Sequence, residues 1–176
     1  VSTGVTQLGP EWVPGPDGVP FRRGARVILL DAADRVLLVR GHDMDDPARS
    51  WWFTVGGGID PGESASDAAV REVAEEAGLS LSRDDLVGPV AVRSADFRFL
   101  RQTVRQSEEF FVARVEAPGA LSTDGWTDVE RAFMDEVRWW ALDELERVRE
   151  EVFPAELVPL VRGLLHGWDG VVRTLG

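Results

Sequence analysis

Cysteine is absent from the 176 residues, which excludes disulfides, thiolate metal sites and a thiol nucleophile. Lysine is absent too: all 19 basic residues are arginine, a bias of composition that also suits forked contacts to phosphate. Positive charge is scarce overall. With 19 basic against 31 acidic residues, the net charge of −12 argues against a non-specific grip on nucleic acid polymers. No apolar run is long enough to span a membrane, no secretory signal is visible, and neither a repeat nor a low-complexity tract occurs. What is present fits a soluble globular protein: 44% hydrophobic residues in a chain long enough for one domain with a real core. The expectation is a cytoplasmic protein with no membrane partner.

One stretch, residues 57–79, reading GGIDPGESASDAAVREVAEEAGL, organises the rest. Pro61 and Gly62 mark a turn, and Ser64 followed by Asp67 reads as a helix cap. Gly78 stands where a left-handed residue closes the helix. At about 100° per residue, Val70, Val73, Ala74 and Ala77 share a face that should pack on a core. Glu72, Glu75 and Glu76 lie on another face beside Ala65, Ala68 and Ala69. Such carboxylates repel one another by a few tenths of a kcal/mol for each exposed pair, and a cation between them reverses that sign. Carboxylate oxygens are hard ligands, so Mg²⁺ or Mn²⁺ is the natural guest, with substrate phosphates completing the shell. Arg71 and Glu75 are spaced to pair, either to fix a ligand's rotamer or as an ordinary helix ion pair.

The stretch resembles the Nudix box, G-x5-E-x7-R-E-U-x-E-E-x-G-U with U a bulky aliphatic residue, at every position. Gly57, Glu63, Arg71, Glu72, Glu75, Glu76 and Gly78 are the fixed residues, and Val73 and Leu79 the aliphatic ones. A chance match is on the order of one in a million. The resemblance implies an α/β fold, an α/β/α sandwich around a mixed sheet, in one domain over residues 21–176. It also implies Mg²⁺-dependent hydrolysis of a nucleoside diphosphate linked to another moiety. In that reading the Gly57 carbonyl, Glu72, Glu75 and Glu76 face the metal, Glu72 acts as ligand or base, and Glu63 and Arg71 complete the catalytic set. An outside carboxylate is expected to join them, Glu130 first and Glu109 second. The alternative is a Nudix-fold sensor that binds a nucleotide without turnover. Isopentenyl diphosphate isomerase shares the fold but relies on a cysteine this chain lacks. The tyrosine usual in the diadenosine polyphosphate group is missing, and Ser94-Ala95 occupies the neighbourhood where the ADP-ribose group carries a proline. A nucleoside triphosphate, including an oxidised one, and a nucleotide sugar stay open. Relatives commonly dimerise, so a homodimer is possible.

Outside the box, residues 1–20 are rich in proline and glycine and read as an extended arm whose Trp12 docks on the body or on a second subunit. Strands are expected over 21–31, 35–40, 51–55, 87–100, 104–116 and 136–141, a loop over 117–128, and helices over 142–148 and 154–166. EVRWWALDEL looks like the family's closing strand and helix. The acidic 41–50 stretch with His42 reads as a solvated loop, and His166 as a helix-end residue. The Trp51–Trp52 pair either stacks on a base or alternates in and out of a half-buried strand, and Trp52 is kept as a substrate contact. Phe97 lines either core or base pocket, and Arg98 reaches either phosphate or solvent; both are kept as substrate candidates.

Overall fold

A computed structural model describes residues 7–176. Its elements in chain order are β1 (Val13–Pro14), β2 (Pro20–Asp31), β3 (Val36–His42), β4 (Ser50–Gly58), α1 (Ala65–Ala77), β5 (Val87–Phe99) and β6 (Gln102–Val115). There follow α2 (Asp128–Phe133), β7 (Met134–Trp140), α3 (Leu142–Leu145), β8 (Glu151–Phe153), α4 (Leu157–Leu164) and β9 (Arg173–Leu175). The strands form one mixed sheet in the order β7-β3-β4-β2-β6-β5-β9, with β1 added to β2 and β8 to β4. The buried strand β2 is its axis, parallel to β6 through Ala25↔Glu109 and antiparallel to β4 through Ala25↔Gly57. This register sets the glycine run of β4 beside the centre of the sheet.

Strand alternation sorts the side chains of the sheet into two cores. Ala25, Val27, Leu29 and Val55 face Ala68, Ala69, Val73 and Ala77 of α1. Ile28, Leu30, Leu38 and Phe110 face Leu157, Leu160, Val161 and Leu164 of α4. Each buried leucine or isoleucine contributes about 1.5–3 kcal/mol. Helices therefore cover both faces, and the architecture is an α/β/α sandwich.

Helix α1 is capped at both ends: the Asp67 N–H donates to Ser64 Oγ at 3.1 Å, and Gly78 closes the helix at φ 70°. Its buried stripe is rotated from the expected one. Ala68, Ala69, Glu72, Val73, Glu76 and Ala77 are buried, whereas Ala74 is exposed. The alanines let the helix lie close to the sheet, and that closeness draws the two glutamates under the surface.

Other elements depart from the sequence reading. The glycines 56–58 continue β4 past the expected strand end at 55. Residues 128–133 make the short helix α2, and the last helix spans only Leu157–Leu164. Of the expected arm, residues 1–6 lie outside the described residues. The remainder folds back: β1 pairs Val13 with Phe21, and the Gly15 N–H donates to Val19 O at 2.9 Å. No helix among the described residues is long and apolar enough to cross a membrane.

Two glycines predict opposite outcomes. A Cβ on Gly56, at φ 137°, would stand 2.1 Å from Ala25 O, so Gly56→Ala should cost more than about 3 kcal/mol in denaturant unfolding. Gly163 is exposed in α4 with nothing within 4 Å of its Cβ position, so Gly163→Ala should stabilise by about 0.5–1 kcal/mol. Equal effects of the two would contradict the β2–β4 packing described.

Candidate active site

The loop between β4 and α1 is fastened by one side chain. Arg71 donates from Nε to Glu63 Oε1 and from Nη2 to Glu63 Oε2, each at 2.9 Å. Nη2 also reaches Gly58 O at 2.9 Å, and Nη1 reaches Glu72 Oε1 at 2.9 Å and Glu75 Oε2 at 3.1 Å. Glu63 in turn accepts the Asp60 N–H at 3.0 Å. These bonds hold the Glu63 carboxyl below its ordinary pKa, the Arg71 hydrogen bonds being the largest cause. Arg71 therefore joins the glycine strand, the turn and the helix through one planar fork.

Beside it the buried carboxylates converge. Glu72 is 5% exposed and Glu76 3%. One oxygen from each, with one from Glu130 of α2, lies within 4.8 Å of the others. Gly57 makes room for this: a Cβ there would stand 2.6 Å from Glu72 Oε1. Glu76 Oε2 accepts the Gly56 N–H at 2.8 Å, and Trp126 Nε1 donates to the Glu76 carbonyl at 2.9 Å. Glu130 is set by a capping box, in which its Oε2 accepts from Thr127 N at 2.7 Å and Thr127 Oγ1 at 2.8 Å.

Charge in this cluster is costly. Burial pushes Glu72 up to about 7, against the Arg71 contacts, with Glu130 and Glu75 adding to the rise. Burial and then the Glu72 charge push Glu76 well above its ordinary range, Arg26 and the Gly56 N–H opposing them. Glu72 Oε2 is buried with no hydrogen-bond partner. An orphaned carboxylate oxygen among three converging carboxylates fits a hard divalent cation, which would neutralise the repulsion and fill that vacancy of bonding.

The remaining candidates fall elsewhere. Glu75 is 42% exposed in its side chain and turned to Arg71, outside the converging group. Glu109 pairs with Arg23 at 2.8 Å. Trp52 is a core residue: alternation along β4 puts it on the face opposite α1, 2% exposed and edge-on to Trp140 at 4.9 Å. Phe97 is 38% exposed near the β5–β6 turn, and Arg98 is exposed there with Nη2 donating to Arg101 O at 3.4 Å. Sequence reasoning missed the buried pair of Arg26 Nε and Glu108 Oε1 at 2.7 Å, behind the glycine strand. Its signal was charged residues placed just before the apolar runs of β2 and β6.

Comparison with known proteins gives the class. The NUDIX domain family matches residues 20–161, and the chain belongs to that family. A "Putative 8-oxo-dGTP diphosphatase" of Bacillus subtilis is 40% identical over 68 residues, covering 39% of this chain and 42% of that protein. An "RNA pyrophosphohydrolase" of Pseudomonas putida is 30% identical over 169 residues, covering 85% of this chain and 96% of the relative. Among solved structures, the NUDIX domain of Shewanella oneidensis NrtR complexed with ADP ribose superposes with a TM-score of 0.59 at 19% identity. That match covers 80% of this chain and 85% of the other and shows the shared fold.

The buried repulsion predicts a stability signature. In chelator, Glu76→Gln keeps the acceptor for Gly56 N–H but removes a charge, and should raise Tm by roughly 2–4 °C, the shift about 1 kcal/mol gives at this size. Adding Mg²⁺ should raise Tm of the parent more than that of the variant. The pH dependence has a defined sign. Glu72 binds protons more tightly folded than unfolded, so its stabilising effect is complete below its ordinary value of 4.5 and is lost as pH rises through about 7. A metal-free Tm that rises over that interval in the parent but not in Glu72→Gln would contradict the assignment.

Proposed function

We propose that this chain hydrolyses the phosphoanhydride of a free nucleotide, a nucleoside diphosphate linked to a further group, with Mg²⁺ or Mn²⁺ held by Glu72, Glu76 and Glu130. The single observation that carries this reading is the meeting of those three carboxylates, one of which keeps a buried oxygen without a hydrogen-bond partner. When bound, the cation supplies charge neutralisation at phosphate oxygens and lowers the pKa of a bound water.

The chain's own part is positioning. Phosphoryl transfer asks a protein mainly for placement and electrostatic stabilisation. Arg71 pins Oε1 of Glu72, Oε2 keeps no hydrogen-bond partner, and Glu63 pins Arg71. We assign Glu63, Arg71 and Glu75 to this positioning and the Gly57 backbone to the close approach that admits Glu72. The proton of the attacking water passes to a carboxylate oxygen of the cluster.

The substrate class follows from two supports. The relatives' names, 8-oxo-dGTP diphosphatase and RNA pyrophosphohydrolase, both describe a nucleotide phosphoanhydride. The net charge of −12 disfavours a long RNA and favours a free nucleotide, in the cytoplasm given the absence of cysteine.

A panel of nucleoside triphosphates, nucleotide sugars and a 5′-triphosphorylated RNA oligomer, assayed for released phosphate or pyrophosphate with Mg²⁺, tests this. Turnover is expected on a free nucleotide and not in chelator. Arg71→Lys, which cannot make the planar fork, should lower kcat/KM roughly 10–100-fold. Preference for the RNA oligomer would overturn the free-nucleotide assignment. Binding without turnover of any compound would replace the hydrolase by a nucleotide sensor.

A further inference from the structure

Gly56, the residue before the glycine on which Glu72 rests, is held from both layers of the sandwich. Among the described residues β3 pairs with β4 only as far as Thr54, and beyond it β4 is paired with β2 alone. Both polar groups of Gly56 are taken by charged side chains. Its N–H donates to Glu76 Oε2, on α1, at 2.8 Å. Its carbonyl accepts from Arg26 Nη1, which also donates to Thr54 O at 3.2 Å. Ala25 and Val27 face α1, so strand alternation puts Arg26 on the opposite face of the sheet. At φ 137° Gly56 has a conformation that glycine alone enters easily, and that freedom leaves its orientation to be set by the groups it meets.

Arg26 is itself clamped. Its Nε donates to Glu108 Oε1 at 2.7 Å, with the two side chains 13% and 6% exposed. Glu108 Oε1 also accepts from Gln106 Nε2 at 2.6 Å, and its Oε2 accepts from Arg93 Nη1 at 3.2 Å. Gln106 Oε1 in turn accepts from Arg22 Nε. Desolvation offsets most of the attraction in a buried ion pair, so an apolar pair of similar volume would pack this junction as well or better. What an apolar pair lacks is a hold on two strand carbonyls. The planar guanidinium, fixed by a carboxylate at Nε and by carbonyls at Nη1, supplies that hold in one orientation.

We propose that Arg26 is a positioning residue for the cation site: secured by Glu108, it fixes the Gly56 carbonyl, so that the Gly56 N–H stays aimed at Glu76 and keeps that carboxylate turned toward Glu72 and Glu130. This rests on the proposed reading of those three carboxylates as cation ligands. It gives β2 and β6 a part in the site that the helix and its loop do not contain. Coulomb's law alone makes the opposite prediction, because a guanidinium near a divalent cation repels it and its removal would tighten binding.

Mn²⁺ binding to the full chain, followed by the paramagnetic resonance signal of the free ion, tests this together with the Gly56 amide signal of the metal-free protein. The double variant Arg26→Met with Glu108→Met removes one charge of each sign and leaves the net charge unchanged. It should bind Mn²⁺ roughly 10–100-fold more weakly, and its Gly56 amide should shift and lose protection from hydrogen exchange. Arg26→Lys keeps the charge beside Glu108 but lacks the planar fork, and should weaken Mn²⁺ roughly tenfold with the same change at Gly56; it decides the matter if the double variant does not fold. Unchanged or tighter Mn²⁺ binding would overturn the proposal and leave Arg26 as a core ion pair. Weaker binding with an unmoved Gly56 amide would overturn it too, since the loss would not pass through that residue. Absence of Mn²⁺ binding in the parent would remove the cation reading of the carboxylates, whereas a Gly56 amide that moves in the variants would leave the hold of Arg26 on Gly56 and Glu76 standing.

Discussion

Mutual repulsion between Glu72 and Glu76, both buried, is the constraint around which this site is built. Two carboxylates one helical turn apart under a sheet are unfavourable unless something offsets their charge. The structure offsets part of it. Arg71 takes one oxygen of Glu72, the Gly56 N–H takes one of Glu76, and the Arg26 charge acts on Glu76 from the glycine strand's far side. The rest is left over, since Glu72 Oε2 has no partner and Glu130 adds a third negative charge. A site that stabilised its own carboxylates fully would have little affinity left for a divalent cation. Here the deficit is concentrated at the point where the ligand oxygens converge.

That constraint explains features of the fold that otherwise look unrelated. Gly57 lacks a side chain because the Glu72 carboxylate occupies its place, and Gly56 takes a backbone angle that other residues avoid so that β4 can stay paired with β2. The alanines of α1 bring the helix close enough to the sheet for both acids to sink below the surface. Arg71 resists displacement because it is bonded at once to the strand, the turn and the helix. Glu130 arrives from a distant part of the chain, and Thr127 fixes one of its oxygens while the other stays available.

Much of this was legible in the residues themselves. The box named Gly57, Glu63, Arg71, Glu72 and Glu76, because each is constrained by a neighbour at fixed spacing along one turn and one helix. The phase of the helix was harder. Periodicity placed Val70 and Ala74 on the core face, whereas the buried stripe runs through Ala68, Ala69, Glu72, Val73, Glu76 and Ala77. Trp52 shows the same limit in a strand: alternation says that adjacent tryptophans face opposite ways, not which one faces the site. Glu130 sits in a T-D-V-E capping box that the sequence displays openly, although reading residues 117–128 as loop hid the helix it begins. The contacts of the arm with Phe99 and Gly58 depend on tertiary packing, and no local pattern in residues 7–20 announces them.

The most direct test of the central claim is proton release on cation binding. Calorimetric titration of the substrate-free protein with Mg²⁺ near pH 7, in two buffers of different ionisation enthalpy, counts the protons displaced. Carboxylates whose burial lets them keep protons, Glu72 pushed up to about 7 and Glu76 pushed well above its ordinary range, must give them up when a cation binds. The account predicts measurable release near neutrality that fades for Glu72 as pH rises well above 7, and that shrinks in Glu72→Gln. Binding with no proton release at any pH between 5 and 9, or no Mg²⁺ or Mn²⁺ binding at all, would contradict it.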